Sequence, residues 1–354
     1  MQEAGAPSPE VRLPAEWEPQ DAILLTWPHR DSDWAPLLEE VTQLYEGLVT
    51  VIADYADLII AVPEAELDVI AERLEAMSVP MEFVHLRPAP SNDTWARDHG
   101  PITVLENGQV KLLDFQFNGW GNKFEHEHDN ALTGILHRDG AFPEVPVERQ
   151  DWVLEGGSIE VDGRGTLLTT EACLLNPNRN PDLSREEIEH RLQQALGVRK
   201  VNWLKHGHLV GDDTDSHIDT LARLCPNNVI AYVQCDDPED EHFAELRAMA
   251  LELAEMTDAE GRPYTLVPLP WPGPVLNDED ERLPATYANF LVVNQAVLVP
   301  QYDCPSDEVA LEQITQAFPG YHIFGIPCSV LIEQGGSLHC ITMQLPEGVL
   351  YDPA

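Results

Sequence analysis

The sequence repeats one short structural pattern, and this repetition limits the folds that the chain can adopt. Turn dipeptides that separate two apolar segments predict four β-hairpins, at Asn107-Gly108, Asp162-Gly163, Asn227-Asn228 and Asn294-Gln295. The first two have the strongest turn chemistry. Apolar residues at helical spacing after the last three hairpins predict helices over 184–196, 238–256 and 306–318. The repeating unit is therefore a hairpin, a helix and a strand.

The N-terminal part carries related elements without a hairpin of its own. Helices are predicted over 33–54 and 64–77, and strands over 58–62 and 82–86. The segment 23–27 is left without a partner, and the apolar segment 338–345 at the other end of the chain can pair with it. This closure brings the count to about five units of 50–70 residues, so we expect one closed α/β domain over 1–354 with a central site. An ordinary α/β sandwich is the alternative.

Composition excludes several classes of function. The formal net charge is −42, from 62 acidic and 20 basic residues, which is incompatible with nucleic-acid binding and favours a cationic ligand. The N-terminus lacks a signal-peptide pattern, and no apolar run is long enough to span a membrane, so we expect a cytoplasmic protein. The six cysteines show neither disulfide nor zinc spacing, and we expect reduced thiols and no metal or other cofactor.

Polar loops between the predicted elements carry the candidate chemistry. Asp98 and Glu155 are separated by 57 residues, Glu155 and His217 by 62, and His217 and Cys340 by 123, about two such steps. If the units surround an axis, these side chains converge at one end of it.

Cys340 follows a Gly-Gly pair, where backbone can approach a ligand closely, and a reactive thiolate needs an acid or base within reach. His217 is the candidate partner. Alternation along an extended Asp215–Asp219 segment would place Asp215, His217 and Asp219 on one face. Carboxylates beside a cysteine and a histidine suit a planar cation with several N–H donors, and Asp98, Glu155 and Asp219 are candidate guanidinium acceptors.

The chain resembles the agmatine deiminase family, related to bacterial peptidyl-arginine deiminases within the guanidino-group-modifying superfamily. The resemblance covers most of the chain and rests on the segments LPAEWEPQDAILLTWPHRDSDW, TWARDHGPI, FNGWGNKF, LEGGSIEVDGRGTLLTTEACLLNPNRNP, DTDSHIDTLARL and GGSLHCITMQLP. It implies a five-bladed, pseudo-symmetric α/β propeller of ββαβ-type units. It also implies that Cys340 is the nucleophile, that His217 is the general acid and base, and that the three carboxylates bind the guanidinium. Trp95, Trp120 and Asp213 are further candidates for contacts with the substrate.

Other functions stay open at this point. A metallohydrolase could use His126-Glu127-His128-Asp129 or His206-Gly207-His208, and a polyamine-binding protein could use a carboxylate-lined pocket without catalysis. An amidinotransferase or a deiminase of arginine or peptidyl-arginine would share the covalent intermediate. The small cationic substrate is the expected partner, and a homodimer is left open.

Overall fold

The computed structural model describes residues 10–351. Its strands are β1 Val11–Arg12, β2 Gln20–Thr26, β3 Asp57–Val62, β4 Val84–Pro88, β5 Ile102–Glu106, β6 Gln109–Gln116, β7 Val147–Val153, β8 Glu160–Val161, β9 Thr166–Thr170, β10 Lys200–Leu204, β11 Ala222–Cys225, β12 Val229–Val233, β13 Thr265–Leu269, β14 Leu291–Val293, β15 Ala296–Gln301, β16 His322–Pro327 and β17 Thr342–Pro346. Its α-helices are α1 Leu38–Ile52, α2 Leu67–Ala76, α3 Ala96–His99, α4 Gly119–Asn122, α5 Asp129–Arg138, α6 Glu171–Leu174, α7 Arg185–Leu196, α8 Phe243–Glu255, α9 Asp307–Ala317 and α10 Ser329–Ile332. None of the helices within 10–351 is both long and apolar enough to cross a membrane.

The strands form five separate small sheets with a recurring connection. In four of them an antiparallel hairpin is followed by a helix and a parallel third strand: β5-β6-α5-β7, β8-β9-α7-β10, β11-β12-α8-β13 and β14-β15-α9-β16. All four predicted hairpins are confirmed. The fold is mixed α/β, because parallel strands need a crossover helix that covers one face of the sheet.

The fifth sheet joins the two ends of the chain. Strand β17 pairs antiparallel with β2, as the sequence predicted, while β2, β3 and β4 run parallel and are connected by α1 and α2. Every residue of β3, from Asp57 to Val62, is buried. This is the continuous apolar pattern of a parallel strand covered on both faces.

Three local features differ from the predictions. The helix expected over 238–256 begins at Phe243, because residues 238–242 form turns. The strand expected over 82–86 lies at Val84–Pro88, because Met81–Phe83 form a 3₁₀ turn in which the Phe83 N–H donates to the Pro80 carbonyl at 3.0 Å. Helix α5 was not predicted. Its buried positions include only two large apolar side chains, Leu132 and Leu136, so its helical pattern is weak.

The largest apolar cluster also joins the two ends of the chain. It contains Ile23 of β2 and Leu58 of β3 together with Leu298 of β15 and Ile341 just before β17. The loops at the ends of these strands therefore start from well-packed positions.

Hydrogen bonds between Asp21 and the C-terminal segment lead to a prediction about stability. One carboxylate oxygen, Oδ2, accepts the backbone N–H groups of Gly348 and Leu350 at 2.9 Å and of Tyr351 at 3.2 Å. Asp21→Ala should lower the free energy of unfolding by about 1–3 kcal/mol, since it leaves these donors unpaired. Urea unfolding followed by circular dichroism measures this. The exposed Asp182→Ala is the control for loss of a negative charge, and equal effects in both variants would contradict the assignment.

Candidate active site

A cavity of about 240 Å³ lies next to Cys340, immediately before β17. Its lining includes Trp95 and Asp98 from the segment between β4 and β5, Trp120 from α4, and Asp213 from the loop between β10 and β11. Candidate residues from loops far apart in the sequence thus meet at one cavity.

Asp98 is held by two donors. The Trp120 indole Nε1–H donates to Oδ2 at 2.9 Å, and the backbone N–H of Gly157 donates to Oδ1 at 2.9 Å. A β-carbon on Gly157 would lie 2.7 Å from Asp98 Oδ1, 2.7 Å from His217 Nδ1 and 3.1 Å from Asp219 Oδ2. Three candidate side chains therefore converge on a position that only glycine can occupy.

His217 is completely buried among acidic groups. Its Nδ1 lies 3.6 Å from Asp98 Oδ1, and neither ring nitrogen has a hydrogen-bond partner within 10–351. Glu155, Cys173 and His217 each bring one polar atom to within 4.8 Å of the others. Acidic groups thus surround an imidazole whose two ring nitrogens make no hydrogen bond among the described residues.

Glu155 occupies a different position from the one expected. Arg179 Nε donates to both of its carboxylate oxygens, at 2.9 and 3.0 Å, and both side chains are fully buried. Glu155 is absent from the cavity lining given by the described residues, as are His217 and Asp219. A guanidinium of the chain itself holds this carboxylate, so the geometry supports an action on His217 rather than a direct contact with a ligand.

The carboxylate of Asp219 lies beside the thiol and has one oxygen without a hydrogen bond. Its Oδ2 accepts a hydrogen bond from His339 Nδ1 at 2.7 Å and lies 3.9 Å from Cys340 Sγ. Its Oδ1 is buried with no hydrogen-bond partner among residues 10–351. Asn289 Oδ1 accepts the backbone N–H groups of His339 at 2.8 Å and Cys340 at 3.3 Å, and it lies 3.4 Å from Cys340 Sγ. The free oxygen suits an N–H donor such as a guanidinium.

The segment before Asp219 is not extended, which corrects the predicted alternation. Asp215 and Ser216 have positive φ angles of 65° and 66°, and a 3₁₀ turn follows at Ile218–Thr220. Asp215 turns away to accept hydrogen bonds from Arg179 Nη1 at 2.6 Å and Lys123 Nζ at 2.9 Å. His217 and Asp219 face the site, whereas Asp215 does not.

The electrostatics of the site disfavour a thiolate when no cation is bound. Burial, Asp219 and Asp98 raise the pKa of Cys340 well above the ordinary thiol value. Burial also raises the pKa of Asp98 to about 6; Asp219 and Glu155 act in the same direction and His217 opposes them. Without a bound cation, the thiol is therefore mostly protonated near neutral pH.

His217 and Asp219 are shifted toward their charged forms. Burial opposes a charge on His217, but Asp98, Cys173 and Glu155 outweigh it and raise the pKa of the imidazole. Burial likewise opposes a charge on Asp219, but His339, His217 and Arg223 outweigh it and lower the pKa of that carboxyl. The site thus holds a proton donor and an anionic acceptor together.

One group in 10–351 has metal-ligand geometry, and it consists of Glu155, Cys173 and His217. Glu155 is already engaged by Arg179, and a cation would have to compete with that guanidinium. Neither His126 nor His206, from the two H-x-H motifs, belongs to this group. His126 contacts the Phe124 carbonyl and His206 contacts Glu245 instead.

Several buried residues that support the site were not among the predicted site residues. Cys173 was treated as one of six similar thiols, yet it lies beside His217. Arg179 holds Glu155, and Glu16 and His339 form a hydrogen-bonded chain that ends at Asp219. His339 is adjacent to Cys340 in the chain, and this adjacency was the available signal.

Comparisons with known proteins identify the family of the chain. The sequence profile of the Porphyromonas-type peptidyl-arginine deiminase family matches residues 12–346, and the chain belongs to this family. It is 35% identical over 360 residues to the agmatine deiminase of Pseudomonas syringae pv. syringae (strain B728a), covering 94% of this chain and 95% of the relative.

Solved structures show the same relationship. A cysteine-to-serine variant of C. jejuni agmatine deiminase with substrate bound superimposes with a TM-score of 0.89, at 37% identity over 98% of this chain and 100% of that one. A Porphyromonas gingivalis protein provisionally named an arginine deiminase also has a TM-score of 0.89, at 46% identity over 96% of this chain and 100% of that one.

The raised pKa of Cys340 predicts slow alkylation of the free protein. The rate with iodoacetamide should keep rising above the pH that ionises an ordinary thiol, about 8.5. Asp98→Asn removes a negative charge near the sulfur, so the pKa should fall and the rate at neutral pH should rise. Mass spectrometry of the Cys340 peptide over time measures both effects.

Cys304 in the same samples is the internal control, and its rate should not respond to Asp98→Asn. An apparent pKa for Cys340 at or below the ordinary thiol value in the wild-type protein would contradict the electrostatic assignment.

Proposed function

We propose that this chain is an agmatine deiminase, which hydrolyses agmatine to N-carbamoylputrescine and ammonia. The observation that carries the proposal is the pair of buried carboxylates at the thiol of Cys340: Asp219 Oδ2 lies 3.9 Å from Cys340 Sγ, and Asp98 lines the same cavity as Cys340. An anionic acceptor and a nucleophile are thereby directed at the same small volume. The relatives named agmatine deiminase support the same substrate.

The substrate guanidinium would lie between Asp98 and Asp219. Trp95 and Trp120 form aromatic walls of the cavity, and a planar cation can stack against such rings. Asp213 lies at the exposed rim, where it can bind the terminal amine of agmatine. Glu155 takes the role of a positioning residue that maintains the charge on His217.

The first half of the reaction forms a covalent adduct. Binding of the cation offsets the carboxylate charges and allows Cys340 to lose its proton to solvent. The thiolate attacks the guanidinium carbon and forms a C–S bond. His217 then donates its proton to one amino group, and ammonia departs with the electrons of the broken C–N bond, which leaves a cationic thiouronium adduct and a neutral imidazole.

The second half hydrolyses the adduct. Neutral His217 removes a proton from water, and the hydroxyl adds to the thiouronium carbon. The C–S bond breaks, the sulfur leaves with the bonding electrons and takes up the hydroxyl proton, and the carbonyl forms. Cys340 and His217 return to their starting states, and groups of this chain and water carry every step.

The architecture that we propose is a five-bladed propeller, with residues 1–354 forming one catalytic domain. The five small sheets and their recurring ββαβ connection support this arrangement. The candidate residues come from loops beside strands of different sheets, as expected if the site lies on the central axis. A cytoplasmic location is part of the same proposal.

Arginine is the alternative substrate, and the provisional name of the P. gingivalis structure motivates it. The charges around the cavity favour agmatine, which has no carboxylate. Asp33, Asp93, Asp213 and Glu281 all contribute to the lining. Arg282 is also present, but its Nη2 donates to Asp240 at 2.7 Å.

The covalent mechanism predicts that Cys340→Ala abolishes ammonia release from agmatine, since no other group can form the adduct. Cys304→Ala, which removes a partly exposed thiol from another loop, should retain most activity. Acid quenching of the wild-type enzyme during turnover, followed by peptide mass spectrometry, should place an amidino adduct on Cys340. An adduct on a different cysteine would exclude this mechanism.

Asp98 and Asp213 should affect different steps. Asp98→Asn weakens guanidinium binding in the transition state and should cost about 2–4 kcal/mol in kcat/KM. Asp213→Asn should raise KM for agmatine about tenfold with less change in kcat, since it removes a contact made in both states.

Butylguanidine, which lacks the terminal amine, provides the matched control. Steady-state kinetics should show the Asp98→Asn defect with both compounds and the Asp213→Asn defect with agmatine alone. Faster turnover of arginine than of agmatine by the wild-type enzyme would reject the substrate assignment.

A further inference from the structure

The imidazole of His339 lies between two buried carboxylates. Its Nδ1 is 2.7 Å from Asp219 Oδ2, and its Nε2 is 2.7 Å from Glu16 Oε2. An ionised carboxylate only accepts hydrogen bonds, and a neutral imidazole carries a single N–H. The two hydrogen bonds therefore require two protons, shared by the imidazole of His339 and the carboxyl groups of Asp219 and Glu16. These three groups form a triad, and with two protons the triad has a net charge of −1.

Glu16 is the charged anchor of this triad. Its Oε2 accepts a hydrogen bond from Arg223 Nη2 at 2.8 Å and lies 3.8 Å from Arg97 Nη2, while its Oε1 accepts the Val292 N–H at 2.7 Å. Burial alone would raise the pKa of Glu16, but Arg223, His339 and Arg97 outweigh it and lower that pKa. Glu16 is therefore ionised across the neutral range.

We propose that Glu16 and His339 are positioning residues that keep Asp219 ionised and fix its carboxylate with Oδ1 free for the substrate guanidinium. This inference rests on the proposed function, because Asp219 is the guanidinium acceptor there. Neither residue reaches the cavity that contains Cys340, and both act through Asp219.

The surroundings of Asp219 explain why it needs such support. Asp98 and the developing thiolate of Cys340 oppose its negative charge, whereas His217, Arg223 and His339 favour it. Among these, His339 donates the hydrogen bond to Asp219. Arg97, Arg223 and Glu160 are the further charged groups that face His339 and Glu16.

Loss of the charge on Glu16 has a definite consequence for pH. Burial, Arg223 and Arg97 lower the pKa of His339, and only the flanking carboxylates Glu16 and Asp219 favour its doubly protonated form. Without the charge on Glu16, the neutral imidazole is therefore favoured. Asp219 then loses its cationic partner, and its pKa rises. Asp98 and Asp219 must both be ionised to bind the guanidinium, and Asp98, with a pKa of about 6, sets the acid limb of the wild-type kcat/KM profile, which reports on the free enzyme. The limb moves to higher pH once the pKa of Asp219 rises above that of Asp98.

The test compares Glu16→Gln with Glu16→Asp and with a matched control. Glu16→Gln should shift the acid limb upward by about one pH unit and lower kcat/KM for agmatine at neutral pH about tenfold. Glu16→Asp retains the charge, and its acid limb should stay at the wild-type position even if the rate falls. Glu18→Gln is the control, since Glu18 lies on the same loop and binds Arg12 and the Ala15 N–H without contacting His339.

His339→Asn provides a second route to the same measurement. The asparagine amide can replace Nδ1 as a donor to Asp219 but cannot reach Glu16. This variant should show the acid-limb shift of Glu16→Gln, and combining the two changes should add little, because both interrupt one chain of hydrogen bonds.

The outcomes separate the two proposals. Wild-type protein without activity on agmatine would reject the proposed function. If the wild-type protein is active and the acid limb is unshifted in both Glu16→Gln and His339→Asn, the proposed positioning role of Glu16 and His339 is wrong. Equal shifts in Glu16→Gln and Glu16→Asp, or additive effects in the double variant, would also overturn it. Thermal unfolding of each variant verifies that the kinetics refer to folded protein.

Discussion

Two buried carboxylates near one thiol impose the constraint on which the rest of the site depends. Asp98 and Asp219 are both almost fully removed from water, and Asp219 Oδ2 lies 3.9 Å from Cys340 Sγ. Buried charges are unfavourable unless donors surround them. Trp120 and the Gly157 N–H supply the donors to Asp98, and His339 supplies one to Asp219. Asp219 Oδ1 is left without a donor, and a bound guanidinium can provide it.

The same buried charges also connect the small sheets. Hydrogen-bonded strand pairs hold each sheet together, but none of the paired strands within 10–351 joins one sheet to another. Arg223 on β11 donates to Glu160 on β8, to Glu16 before β2 and to the backbone carbonyl of Ala288. One guanidinium thereby fixes elements of different sheets relative to each other. Removing Arg223 would take the guanidinium away from two buried carboxylates, which is strongly destabilising.

Local sequence signals predicted most of the fold and the residues at the cavity. Hairpins depend on turn residues that are adjacent in the chain, so Asn107-Gly108 and its counterparts were sufficient to locate them. Cys340, Asp98, Trp95, Trp120 and Asp213 all meet at the cavity, as the spacing of the loops and the family resemblance together indicated. Helix α5 was missed because its apolar face is small.

Interactions between distant residues limited what the sequence could reveal. No local pattern indicates that Arg179 binds Glu155, which lies 24 positions earlier in the chain, so the carboxylate was expected to remain available for a ligand. The predicted alternation is wrong at Asp215 because the backbone there is not extended. Asp215 and Ser216 both have left-handed φ angles, which change the direction of the chain. Such conformations are uncommon outside glycine and are maintained by the surrounding contacts, here the bonds from Arg179 and Lys123 to Asp215.

Selectivity and reactivity have a common physical origin in this arrangement. A neutral or anionic ligand leaves the charges of Asp98 and Asp219 uncompensated, so the pKa of Cys340 stays high and the sulfur remains a weakly reactive thiol. A cation that binds both carboxylates offsets the two negative charges that, together with burial, raise the pKa of Cys340. The distant acidic surface, with a net charge of −42, cannot substitute for this effect, since salt screens charges beyond about 8–10 Å. The short-range geometry of the two carboxylates therefore determines which ligands ionise the nucleophile.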